Sequence, residues 1–375
     1  MSRNPFVELA TTGVQGLTPY VPGKPVEELE RELGIVESVK LASNENPLGP
    51  SPLGWAAAQK AAGDLHLYPD DTGHRLCRKL GVLHGVRPEQ IILGAGSSDV
   101  LDMVARSFLS SSVNAVYSAH SFAMYAIFTQ ATGAAARVAR PLPADHPDQP
   151  YGHDLNEMLA LIDEATRVCY IANPNNPTGT WLAHGDLKRF VEQVPQHVVV
   201  VLDEAYTQYV RLADFPDGLE WLHEHPNLLV TRTFSKIYGL AGLRVGYGVG
   251  DPGLVETIGR VRHPFNVNTI ALAAAEAALD DEAFIRRSVE VNASGLRQLE
   301  AGIERLGLRF IPSVGNFRCV EFPRPGVDVY DALLHEGVIV RPVGNYRLPN
   351  HLRITVGTED ENRRLLAALD RVLNP

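Results

Sequence analysis

The chain has 375 residues, with 34 Lys and Arg against 44 Asp and Glu and a formal charge of −10 at neutral pH. That length exceeds what one hydrophobic core serves, so two domains are expected, and the acidic balance opposes non-specific nucleic-acid binding. Three scattered cysteines without a CxxC pair, no leader-like apolar stretch after MSRNPFVELATTG and no run of about 18 apolar residues point to a cytoplasmic protein without a membrane partner.

The first 50 residues are rich in Pro and Gly (LTPYVPGKP, then NENPLGPSP) and read as an extended N-terminal arm, not a helical one. From about residue 75, helix and strand patterns alternate. IIL (91–93) is a short apolar strand entering the turn GAGSSD, and the helix after it carries Val100, Val104 and Phe108 on one face. RVCYIA (167–172), HVVVVL (197–202) and LLVTRT (228–233) are continuous apolar runs rich in β-branched residues, the pattern of strands buried on both faces of a parallel sheet. These place a large α/β domain over residues 51–262. An alanine-rich helix at 269–279, a second through the 290s, and shorter strands at 317–322, 338–342 and 352–356 give a smaller α+β domain over 263–375.

Polar residues gather just past the C-terminal ends of the strands: Ser97 and Ser98, Asn173, Asp203 and Tyr206, then Ser235 and Lys236. Ligands bind at that edge of open parallel sheets. Ser97 and Ser98 follow a glycine turn at a helix start, which suits either a plain helix cap or a phosphate held by free N–H groups and the helix dipole. In ANPNNPTG (172–179) two prolines and a glycine lock an irregular turn that holds Asn173 at the sheet edge. Asp203 ends an apolar strand, where a carboxylate needs a cation or strong donors, supplied by a ligand or by a structural salt bridge. In TFSKIYGLAGLRVG (233–246), Thr233, Ser235 and Arg244 flank Lys236 with hydroxyls and a guanidinium suited to a phosphate. A lysine becomes a nucleophile when its pKa is depressed or its amine is captured as a Schiff base. Thirteen histidines form no HxxxH or HExxH pair, so no metal site is expected.

Taken together, SxK followed by LAGLRxG, with NPxNPTG and DExY upstream, resembles the fold-type I pyridoxal-5′-phosphate (PLP)-dependent aminotransferases along nearly the whole chain. Within them, KLASNENPLGPSP, YPD at 68–70, HPFNVN and LRITVGTEDEN are similar to the histidinol-phosphate aminotransferases. The resemblance implies a mostly parallel seven-stranded sheet between helices, and a homodimer with shared active sites. It implies that Lys236 holds the cofactor and moves the proton at the substrate α-carbon. Asp203 would pair with the ring nitrogen, Asn173 and Tyr206 with the ring oxygen, and Phe122 would stack on the ring. Amides near Ser97 and Ser98, with Thr233, Ser235 and Arg244, would hold the cofactor phosphate, and Tyr68 would reach the cofactor of the neighbouring subunit. Tyr20, Asn46, Arg341 and Arg353 would bind substrate, although surface ion pairing is the plain alternative for both arginines. Arg347 departs from the family pattern, in which a small residue is more usual.

The resemblance thus implies amino transfer between L-histidinol phosphate and 2-oxoglutarate or L-glutamate, in two ping-pong half-reactions. An aromatic aminotransferase is the alternative, because an imidazole pocket also admits a phenyl ring and such shape discrimination is worth only about 1–3 kcal/mol. A threonine-phosphate decarboxylase would use the same lysine and arginines. A PLP-sensing transcription regulator needs a DNA-binding domain for which the arm leaves no room.

Overall fold

In the computed structural model, which describes residues 4–374, the centre of the molecule is a seven-stranded sheet. In chain order the strands are β1 (Val39–Lys40), β2 (Ile91–Gly94), β3 (Asn114–Ser118), β4 (Ala135–Ala139), β5 (Thr166–Ala172), β6 (Val199–Asp203), β7 (Leu228–Thr233), β8 (Gly246–Gly250), β9 (Arg309–Ile311), β10 (Phe317–Glu321), β11 (Val338–Ile339), β12 (Arg341–Pro342) and β13 (His351–Thr355). The large sheet runs β2-β8-β7-β6-β5-β3-β4, with β8 antiparallel to both its neighbours and every other pairing parallel. A four-stranded antiparallel sheet, β12-β13-β10-β9, forms the second unit.

The apolar run of β6 shows why the sheet is buried on both sides. Val200 and Leu202 pack into the core on one face with Val230 and Trp221, while Val199 and Val201 pack on the other with Leu229 and Tyr125. Successive side chains in a strand point to opposite faces. The alternation carries past the last valine, so neighbouring acids part company. Asp203 meets Tyr125 on one face, and Glu204 turns to Arg232 on the other.

Three strands of the large sheet lie outside the apolar runs, because their sequences read as loop. β8 is GYGVG, and its glycines are needed where the chain packs closest: a Cβ at Gly246 would lie 2.4 Å from the Ser97 backbone nitrogen. β4, AARVA, is an edge strand with exposed alanines, and β3, NAVYS, is short and ends in serine. The expected strand at 338–342 is two: β11 pairs with β1 of the arm, and β12 with β13.

The arm is not simply extended. Helices form at Pro5–Leu9, Thr12–Gln15 and Val26–Leu33. The first has Pro at its start under an Asn4 cap, and the third follows Pro25 with Glu27 and Glu28 in its first turn and stops at Gly34, φ +66°. Those are ordinary start and stop signals that the Pro and Gly content masked. The alanine helix, Thr269–Ala278, was expected to open the small domain. Instead Ala271, Ala274, Ala275 and Ala278 pack in the core beneath the large sheet, while Val39 and Leu41 of the arm join the small-domain core with Leu299, Val320, Leu352 and Leu365. Among the described residues no helix is long and apolar enough to cross a membrane, and no cluster of metal-ligating side chains forms.

Glu204 is fully buried and receives two bonds from Arg232, at 2.9 and 2.6 Å, and Arg232 also reaches Asp217 at 2.6 Å. Removing one partner leaves an uncompensated buried charge. Arg232→Met is therefore expected to cost about 3–5 kcal/mol in urea unfolding, with much of the loss recovered in the pair Glu204→Leu/Arg232→Met. A single variant as stable as the parent contradicts this.

Candidate active site

One cavity of about 260 Å³ opens at the C-terminal edge of the large sheet, under the small domain. Its wall includes Ser97, Ser98, Phe122, Asp203, Tyr206, Thr233, Ser235, Lys236, Arg244, Tyr20, Arg341 and Arg353. Residues separated by more than 300 positions thus converge because β2, β6 and β7 end here and the paired Arg341 and Arg353 of β12 and β13 face the same space.

Asp203 is buried, and burial pushes its carboxyl up to about 6. Two donors work against that rise: the Tyr125 hydroxyl at 2.9 Å and the Thr231 hydroxyl at 3.2 Å. Tyr125 is itself wholly buried, stacked on Tyr170 at 4.7 Å and edge-on to Phe122 at 5.8 Å. The structural salt bridge that a strand-end carboxylate invites belongs to Glu204 instead. Asp203 has no cation bonded to it among the described residues, so a protonated heterocyclic nitrogen fits its role.

The Lys236 amine donates to the Ser43 carbonyl at 3.0 Å and lies 5.8 Å from the Tyr206 ring centroid. Enclosure in the cavity pushes it down to about 7, and the Arg353 and Arg244 charges push the same way. Near neutrality a large share of the amine is therefore unprotonated, as a carbonyl-capturing nucleophile requires. Tyr206 is buried, its hydroxyl pushed up to about 12 chiefly by burial, and it accepts from the Asn44 amide at 2.9 Å.

At the other wall, the helix Ser97–Phe108 is capped by Gly96, not by either serine, whose hydroxyls do no capping. Asp99 instead accepts from Ala95 N–H at 2.9 Å and from Asn266 at 2.8 Å. Arg244 reaches this turn, with its Nη1 3.4 Å from the Ser235 hydroxyl and its Nη2 3.4 Å from the Ala95 carbonyl. Gly96 (φ +88°) makes room: a Cβ there would lie 2.5 Å from Arg244 Nη2. Free amides at a helix start, hydroxyls and a guanidinium around a glycine hollow make a phosphate cradle. Asp203, the aromatic Phe122, Lys236 and this cradle together fit PLP.

Arg341 and Arg353 are direct cross-strand partners on β12 and β13, so twelve residues of sequence separation become adjacency in the sheet. Both are buried and neither makes an ion pair among the described residues, which sets aside the surface-pairing alternative. Arg353 donates to Asn176 Oδ1 and to the Ala42 carbonyl, each at 2.6 Å, with its Nε left without a protein partner. Arg341 donates to the Val21 carbonyl and sits 5.5 Å from the Tyr20 ring.

Three residues singled out from sequence stand elsewhere. Asn46 does not face the cavity: its amide braces the Ile237 carbonyl and Ser288, each at 2.9 Å, behind Lys236. Two positions earlier, Asn44 faces it. Asn173 is fully buried, its Oδ1 accepting from Leu182 N–H at 2.9 Å and its amide 3.5 Å from the Leu182 carbonyl, so Ala172 and Pro174 form the wall there. Tyr68 is 82% exposed on the outer surface, stacked on Phe265. Tyr125, Asn44 and Asn176 are the functional candidates the motifs did not single out. Asn44 and Asn176 lie inside quoted segments (KLASNENP, NPNNPTG) and Tyr125 follows Phe122 by three residues, so only three-dimensional facing separates them from their neighbours.

Residues 36–369 match the model of the family described as aminotransferase class I and II. The chain is 55% identical over 367 residues to "Histidinol-phosphate aminotransferase 2" of Methylococcus capsulatus, covering 98% of this chain and 99% of that one. It is also 55% identical over 375 residues to the protein of the same name from Pseudomonas fluorescens, covering 100% and 99%. Among solved structures, a histidinol-phosphate aminotransferase from Sinorhizobium meliloti in complex with pyridoxal-5′-phosphate superposes with a TM-score of 0.88 at 29% identity, covering 97% of each chain.

The lowered Lys236 amine is testable in the ligand-free protein. Its acylation by acetic anhydride, followed by peptide mass spectrometry, is expected to reach half its limiting rate near pH 7, as the amine loses its proton on rising through that value. A half-point near that of an ordinary lysine, about 10, contradicts the geometry.

Proposed function

From a chain that belongs to the class I and II aminotransferases, we infer a PLP-dependent histidinol-phosphate aminotransferase. It transfers the amino group between L-histidinol phosphate and 2-oxoglutarate or L-glutamate, in L-histidine biosynthesis. Its architecture is that of the fold-type I PLP enzymes. The observation that carries the reading is the pairing, across one cavity, of the Lys236 amine and Asp203 carboxylate with two arginines that have no carboxylate partner.

When bound, PLP supplies an electron-withdrawing ring that takes up the charge left when a substrate loses its α-proton. The chain's own groups set that up. Asp203 keeps a negative charge facing the ring nitrogen, with Tyr125 and Thr231 fixing the orientation of its oxygens. Tyr206, held by Asn44, would offer its hydroxyl to the ring oxygen. Phe122 covers one ring face. Amides at Ser97 and Ser98, with Thr233, Ser235 and Arg244, hold the phosphate. Lys236 would hold the cofactor and would move the proton at the substrate α-carbon, which its lowered amine suits. Arg353 and Arg341 would receive the phosphate of one substrate and a carboxylate of the other, which a planar five-donor group accommodates better than a point charge.

The homodimer belongs to the same proposal. Tyr68, exposed on the surface with Leu65 and Leu67, would contribute to a second subunit's cofactor site. A cytoplasmic location accords with the absence of a membrane-spanning helix among the described residues.

Two experiments test this reading. In single turnover, L-histidinol phosphate is expected to bleach the cofactor absorption at far lower concentration than phenylalanine. Equal or better reaction with phenylalanine makes the enzyme an aromatic aminotransferase instead. Arg353→Leu is expected to lower kcat/KM for histidinol phosphate and for glutamate alike by about tenfold to a hundredfold, the loss of charged hydrogen bonds of roughly 1.5–3 kcal/mol. An effect on neither substrate removes Arg353 from the anion site.

A further inference from the structure

A second cavity, of about 590 Å³, lies under the N-terminal arm and is larger than the catalytic one. It is roofed by residues 17–24, floored by the end of β3 and the helix Ala123–Ala131, and closed by the loop between β12 and β13. Tyr20, Gly23, Phe122 and Arg341 belong to the walls of both cavities, so the two spaces adjoin across a shared wall.

The charge on this wall is one-sided. Lys24, Arg341 and Arg347 line it and no aspartate or glutamate does, in a chain whose formal charge is −10. Lys24 is spent on Glu28 and Glu32. Arg347 is exposed and its guanidinium has no hydrogen-bond or ion-pair partner among the described residues. It sits close enough to Tyr117 and His120, at the end of β3, for its charge to be felt by both. Its backbone lies in the left-handed region, φ +62°, which a residue with a side chain adopts at a cost and glycine does not. A strained backbone carrying an unpaired cation over a cavity suggests a side chain kept for what it meets there.

Three of the arginines without carboxylate partners fall in a graded order. Arg347 lines only the outer cavity, Arg341 lines both, and Arg353 lines only the catalytic cavity. We propose that the space under the arm is an anion-collecting vestibule through which phosphate and dicarboxylate substrates reach the catalytic cavity, with Arg347 as its outer receptor and Arg341 as the hand-over point to Arg353. The proposal rests on the reading of the enzyme as one that takes such anions. A cleft of one charge sign with apolar walls focuses its field and raises the capture rate of an opposite charge, and salt screens that gain. Here the apolar walls are Tyr117, Phe122, Ile127 and Val138.

The test uses the holoenzyme as parent, Arg347→Gly and Arg347→Lys, with kcat and KM measured for histidinol phosphate and glutamate at about 20 mM and about 300 mM ionic strength. Calorimetric binding of phenyl phosphate, an aromatic anion with no amine to transfer, is measured alongside. Arg347→Gly, which relieves the backbone while removing the charge, is expected to lose roughly threefold to tenfold in kcat/KM at the lower salt, with kcat unchanged. It is expected to bind phenyl phosphate more weakly by a similar factor, and to converge on the parent at the higher salt. Arg347→Lys should keep most of the parent's values. The vestibule is ruled out if Arg347→Gly matches the parent in kcat/KM, salt dependence and phenyl phosphate affinity. It is also ruled out if Arg347→Lys loses as much as Arg347→Gly, or if kcat falls while KM stays. A parent enzyme that does not turn over histidinol phosphate overturns the substrate reading alone, and phenyl phosphate binding then still decides the vestibule.

Discussion

The structure turns on keeping a negative charge at the end of a fully buried strand. β6 carries only valine and leucine until Asp203, and its depth would neutralise an unaided carboxylate. The Tyr125 and Thr231 hydroxyls hold it against that tendency, and each comes from an element whose position the sheet dictates: Thr231 from β7, in register beside Asp203, and Tyr125 from the helix packed on the face that Val199 and Val201 share. The helix also brings Phe122 to the cavity wall, so one element sets both the acid's orientation and an aromatic wall beside it.

The same burial works in the opposite sense on Lys236. What raises an acid lowers an amine. One low-dielectric cavity therefore gives a carboxylate held by donors and a lysine near the midpoint of its titration at neutral pH. The arginines add to this, because Arg353 and Arg244 both push the amine down while waiting for anions of their own. Cofactor phosphate, substrate anion and neutral amine are thus electrostatically linked, and filling the anion sites alters the field at Lys236.

Legibility from sequence followed the physics of each segment. β5, β6 and β7 were plain because strands buried on both faces must be apolar throughout. β8 was hidden because its close approach to the helix at Ser97 demands glycine, the residue that otherwise signals a loop. The first and third helices of the arm were masked by the prolines that start them. At the site, collinear motifs pointed to Lys236, Asp203, Tyr206, Arg244 and Arg353, which line one cavity, the last from the four-stranded sheet. They did not distinguish Asn44, which touches Tyr206, from Asn46, which braces the backbone at Ile237. Nor did they single out Tyr125, whose partner is 78 positions away in the chain. Facing within a turn and pairing across elements are properties of the packed fold and leave little trace in spacing.

The proposed chemistry requires covalent attachment of the cofactor at Lys236. Borohydride reduction of the PLP-loaded protein, followed by proteolysis and mass spectrometry, tests it directly. The account predicts that the added phosphopyridoxyl mass resides on the peptide containing Thr233–Lys236, on Lys236 and no other lysine. Attachment at a different lysine, or a reduced protein that releases the cofactor on unfolding, contradicts it.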